Sequence, residues 1–222
     1  MRKMMKMINH DAASNRGAAL VEYGVLVGLI AAVAISAVAS LGKKVEFDYL
    51  VDALEIHEIT SPLGNYLENG DFDDVRGMSV TAWGFSGPDL EGWTSKNGER
   101  FELHASGWQG MTSVSGSYWL DTNSSPGALD IEQYVIGLIP GDVYRLTIIA
   151  GDRDPDLDGL AMVFWNGLLV GQIGPTVEDI MQEFHFHIRE GEGDGTNRIR
   201  LVEIGHNDSN GLSLDQVRIW GR

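Results

Sequence analysis

Apolar residues divide this chain into two unequal parts. From Ala18 to Leu41 a nearly unbroken apolar run carries a single charge, Glu22. As a helix it would extend roughly 36 Å at about 1.5 Å per residue, enough for a bilayer core of about 30 Å with some tilt. Val45, Tyr49, Leu50 and Leu54 keep helical spacing among Glu46, Asp48, Asp52 and Glu55, which predicts an amphipathic stem to about His57. Ser61-Pro62-Leu63-Gly64 breaks that pattern. Beyond it the period changes. Short alternating or β-branched runs predict strands at Arg100–His104, Ser117–Leu120, Ile131–Val135, Val143–Ala150, Ala161–Trp165, Glu183–Ile188, Arg198–Ile204 and Leu214–Trp220. Pro140-Gly141, Asn166-Gly167 and Asn210-Gly211 are turn signals between them, and Asn166-Gly167 predicts a tight hairpin. Strands at this spacing predict an all-β sandwich.

The apolar run admits three readings. Arg2, Lys3, Lys6 and Arg16 precede it and favour a cytoplasmic N-terminus with the remainder outside. An uncleaved signal anchor satisfies that pattern. Ala37-Val38-Ala39 also offers the small-residue site of a secretory signal peptide. The third reading explains more residues. Arg16-Gly17-Ala18-Ala19-Leu20-Val21-Glu22-Tyr23 resembles the processing site of Flp/Tad-type (type IVb) pilins. The resemblance implies cleavage by a prepilin peptidase between Gly17 and Ala18, an inner-membrane precursor, and later incorporation into a surface pilus with copies of itself or other pilins. It also implies that Glu22, followed by Tyr23, pairs with the new α-amino group of Ala18 in a neighbouring subunit. Apart from the resemblance, Gly24, Gly28, Ala32, Ser36 and Ser40 fall four apart and form a small-residue ridge suited to close helix packing.

A second resemblance is spread over about residues 66–220. Glu68-Asn69-Gly70-Asp71-Phe72, Gly92-Trp93, Tyr118-Trp119-Leu120-Asp121 and Ile131-Glu132-Gln133 occur in an order similar to a galactose-binding-like jelly roll. Pro140 to Leu146, Trp165-Asn166-Gly167 and Leu214-Asp215-Gln216-Val217 continue it. This implies two packed antiparallel sheets, often a structural calcium ion, and in many relatives carbohydrate binding. Asn69, Asp71, Asp121 and Asp215 are the candidate Ca²⁺ ligands, since calcium favours clustered carboxylate and carbonyl oxygens. Trp83, Trp93 and Trp108, near glycine-rich irregular segments, are the candidate sugar platforms.

The fold class expected is therefore α+β, a long N-terminal transmembrane or filament helix followed by an all-β jelly-roll sandwich. Residues 1–17 form the leader, 18–60 the helix and stem, 61–65 a linker, and 66–222 the head.

Composition narrows the function. A net charge of -16 argues against nucleic acid, whose binding relies on neutralising phosphates with Lys and Arg. The absence of cysteine removes disulfides and thiolate metal sites. Asp154-Pro155-Asp156-Leu157-Asp158-Gly159 opens like a calcium loop, but the twelfth loop position is Trp165, so it reads as a solvated acidic loop. His185 and His187 share a strand face without an evident third metal ligand nearby. No nucleophile elbow, P-loop or metalloprotease helix is present, so catalysis is not expected. The expected function is a pilin or pilin-like subunit displaying an adhesive head. The alternative is a membrane-anchored carbohydrate-binding module that does not polymerise.

Overall fold

The computed structural model describes residues 25–27, 29–38, 41, 44, 65–76, 80, 82–85, 87–124, 127–153, 159–177, 179–205 and 210–221. Gly17, Ala18, Glu22, Tyr23, Gly24 and Gly28, the expected processing and assembly residues, lie outside them.

The body is a sandwich of two six-stranded sheets. The first runs in spatial order β1 (Trp83–Phe85), β4 (Glu102–Ala105), β5 (Tyr118–Asp121), β14 (Leu212–Trp220), β9 (Val143–Asp152) and β12 (Gln182–Arg189). The second runs β11 (Leu168–Ile173), β10 (Ala161–Trp165), β13 (Arg198–Glu203), β8 (Asp130–Tyr134), β3 (Trp93–Ser95) and β2 (Asp89–Leu90). A small hairpin pairs β6 (Asn123–Ser124) with β7 (Gly127–Ala128). The chain crosses repeatedly between the sheets and pairs antiparallel throughout its named ladders, which is jelly-roll topology.

Alternation explains the core. Leu103 and Leu120 point between the sheets with Leu146, Ile148, Val217 and Ile219 from neighbouring strands. Trp93, Trp165 and Phe101 fill the interior with aromatic volume. At the β10–β11 hairpin Asn166 and Gly167 both have positive φ, 49° and 77°, as a two-residue turn matched to strand twist requires. The expected strands occur with small shifts at their ends.

Where β5 leaves β14 after Ser213 and Leu214, the 65–70 segment takes its place. Val217 N–H donates to Gly70 O at 2.7 Å, and Ile219 N–H donates to Asn65 Oδ1 at 2.9 Å. A Cβ on Gly70 would lie 2.1 Å from Val217 O, so this approach needs glycine.

The long N-terminal helix is corrected by the structure. Among the described residues, helix occurs at 25–27, 29–38, 41 and 44, apart from a short 3₁₀ turn at Trp108–Gly110. Among the described residues no helix is long and apolar enough to cross a membrane. Among the described residues the fold is a β-sandwich, with α-helix only at those N-terminal positions.

Candidate functional site

The chemistry-bearing side chains collect on the outer face of the first sheet. Because Leu103 and Leu120 face the core, alternation sends Glu102 and His104 of β4, and Trp119 and Asp121 of β5, to the opposite face. Cross-strand register then builds two rows. One is Trp83, His104 and Trp119; the other is Phe85, Glu102, Asp121 and Ser213.

The inner end of these rows is closed. His104 stacks on Trp119 with ring centroids 4.2 Å apart and planes 8° from parallel. Its Nε2 lies 3.1 Å from Glu102 Oε1 and 3.8 Å from Asp121 Oδ2. Arg153 donates from Nη2 to Asp121 Oδ2 at 2.5 Å and to Asn210 Oδ1 at 3.1 Å. Asp121 Oδ1 accepts from the backbone of Asn123 at 2.9 Å and of Gly211 at 3.1 Å. Burial pushes the Asp121 carboxyl up from its ordinary range, and the Arg153 charge opposes that shift. Met111 and the Ile180 backbone pack against Gly151 on this face, so the loops after β4 and β11 help to cover it.

Glu102, His104 and Asp121 are the one set of three such side chains, among the described residues, whose ligand atoms converge within 4.8 Å. Arg153 already neutralises Asp121 there. The cluster therefore acts as a buried ion-pair network that ties β4 and β5 to the loops beyond β9 and before β14.

The outer end of the rows is open. Trp83 is 51% exposed on edge strand β1. Its ring meets Phe85 edge-on, with centroids 5.4 Å apart, and the Arg100 guanidinium lies 4.2 Å from the Phe85 ring centre. Trp93 is a correction to the expected platforms. Its ring is buried beside Phe72 and its Nε1 donates to Asn69 O at 3.1 Å, so it offers no surface. Trp108 sits half-buried in the 3₁₀ turn.

The four expected calcium ligands separate. Asn69 (φ 46°) is a turn residue: its Oδ1 accepts from Asp74 N–H at 2.8 Å and its Nδ2 donates to Glu91 O at 3.2 Å. Asp121 belongs to the Arg153 network. Asp215 lies at the irregularity in β14 and accepts from the backbone N–H groups of Val114 and Ser115. Its carboxyl is pushed up to about 6, first by burial and further by the negative charges of Asp73 and Asp71, while those two backbone bonds oppose the shift. Its Oδ1 is buried without a hydrogen-bond partner. Asp73 accepts from Ser117 N–H at 2.9 Å and Tyr118 N–H at 3.0 Å, so it holds the same loop from the other side.

Sequence reading missed Glu102, His104, Arg153 and Asp73. The alternation of Phe101-Glu102-Leu103-His104 was a usable signal for one shared face. The partners across strands were not visible, because register depends on which strands pair.

No family model matches the chain, and no curated protein matches it. Solved structures do show a likeness. A family 35 carbohydrate-binding module from Paenibacillus barcinonensis aligns at 14% identity over 63% of this chain and 99% of its own, with a TM-score of 0.39. A family 61 module solved with β-1,4-galactotriose aligns at 17% identity over 72% and 100%, also with a TM-score of 0.39. A family 35 module from Clostridium thermocellum gives 13% identity, 64% and 100% coverage, and a TM-score of 0.40. Scores this low assign no ligand, and the jelly-roll description stands on the strand order above.

Proposed function

We propose that the sandwich is a non-catalytic carbohydrate-binding domain with Trp83 as its platform. The observation that supports this reading is a half-exposed indole placed on a rigid sheet face, with Phe85 and Arg100 fixing its surroundings. A pyranose ring has an apolar C–H face that an open indole accepts, while its hydroxyl edge needs polar groups. The Arg100 guanidinium over the adjoining Phe85 ring offers such a group. Buried Glu102, His104 and Asp121 hold that face in place rather than turning over substrate. Screening the full chain on a glycan array tests the reading: it predicts retention of neutral glycans, and silence across the array would contradict it.

Calcium belongs to the same proposal. Asp215 would be its ligand, since its buried Oδ1 lacks a hydrogen-bond partner and suits a hard cation, and Asp71 and Asp73 add negative charge around it. When bound, Ca²⁺ would neutralise their mutual repulsion. Export with processing after Gly17 is likewise proposed, on the residues Arg16 to Tyr23. N-terminal sequencing of the mature protein checks it: Ala18 as first residue supports it, and an intact leader opposes it.

A further inference from the structure

We infer that the pocket between Tyr66 and Tyr134 is a second saccharide site, specific for neutral sugars. The inference rests on the carbohydrate-binding reading but uses a different part of the molecule. The pocket has a volume of about 330 Å³, within the range of small-molecule sites, and lies by β8 of the second sheet rather than at β1 of the first.

Its walls are fixed. Tyr66 packs edge-on against Tyr144, with centroids 5.4 Å apart. Tyr134 is 59% exposed, with the Arg198 guanidinium 5.8 Å from its ring centre, and Arg198 is in turn paired with Glu132 and Asp194. Ile136, 83% exposed, extends the apolar rim. Gln133 is buried and clamps the Glu68 backbone in both directions, accepting from its N–H at 2.8 Å and donating to its C=O at 2.9 Å. Gly92 seals the base: its φ is +76°, and a Cβ there would lie 2.8 Å from Glu68 O and 2.9 Å from Gln133 Nε2. The clamp fixes the Glu68 backbone beside the pocket that Glu68 lines. Glu68 is exposed and makes no ion pair among the described residues.

Two aromatic walls beside a carboxylate acceptor match a ring with apolar C–H faces and hydroxyl donors at its edge. The carboxylate excludes anionic sugars locally, and a net charge of -16 repels them at longer range.

Calorimetric titration of the full chain with trisaccharides of galactose, xylose, glucose and mannose, and with a trigalacturonate, tests the inference. For a neutral trisaccharide that binds, two sites per chain are expected. Tyr134→Ala should weaken one of them about tenfold or more and leave the other, and Trp83→Ala should do the converse. Trigalacturonate should not bind at the Tyr134 site. A single site that Trp83→Ala removes and Tyr134→Ala leaves intact overturns this inference while sparing the carbohydrate reading. Equal binding of trigalacturonate at the Tyr134 site overturns its neutral specificity. No binding of any probe by the unaltered chain overturns both.

Discussion

Asp121 accepts from Arg153, Asn123 and Gly211 while fully buried. Asp121→Ala therefore strands a guanidinium in a buried site and should cost about 3–5 kcal/mol, read from denaturant midpoints at unchanged slope. Asp215 makes a pH-dependent contribution of the opposite character. Its folded pKa lies above the ordinary 3.8, so its stabilisation is complete below about pH 4 and is lost as pH rises through about 6. Burial raises Asp121 and Glu203 in the same direction, so their contributions also fall with rising pH. In metal-free buffer, melting temperatures across that window should decline less in Asp215→Asn than in the unaltered chain. Identical declines would remove Asp215 from the account. At this scale the sequence exposed residue chemistry but not residue surroundings. Trp83 and Trp93 lie near similar glycine-rich segments, yet one is an exposed edge residue and the other fills the core. Asp71 adds to the negative field at Asp215, whereas Asp121 is taken by Arg153, a residue with no sequence signal of that role.

The β10–β11 hairpin shows what local chemistry dictates. Gly167 has a φ of 77°, so Gly167→Ala should destabilise the fold by about 1–2 kcal/mol through backbone strain, measured by thermal or chemical denaturation. This hairpin was legible because its two turn residues specify their own geometry. Strands β8, β9, β10, β12, β13 and β14 were legible from alternation and β-branching for the same reason. Strands β1 to β3 were not: Trp83–Phe85, Asp89–Leu90 and Trp93–Ser95 are too short to show a period and exist because neighbours pair with them. The N-terminal run failed differently. Among the described residues helix covers 25–27, 29–38, 41 and 44, so the apolar length was legible, but no helix there is long and apolar enough to cross a membrane.

Across the whole molecule, the first sheet carries a closed polar network at one end of its outer face and an open indole at the other. That division separates the groups that hold the fold from those that meet a ligand. The 65–70 segment and β14 join the beginning and end of the sandwich beside Asp71, Asp73 and Asp215. Calcium at those carboxylates should raise the melting temperature of the full chain relative to a chelated sample, and the gain should vanish in Asp215→Asn. No change on adding Ca²⁺ would remove the ion from the account. The central claim concerns Trp83. The most direct measurement is calorimetric affinity of the full chain and of Trp83→Ala for one array-selected neutral glycan, with matching circular dichroism of the two proteins. The account predicts that affinity at this site falls about tenfold or more in the variant while the fold is unchanged. Equal affinity at every site in the two proteins would contradict it.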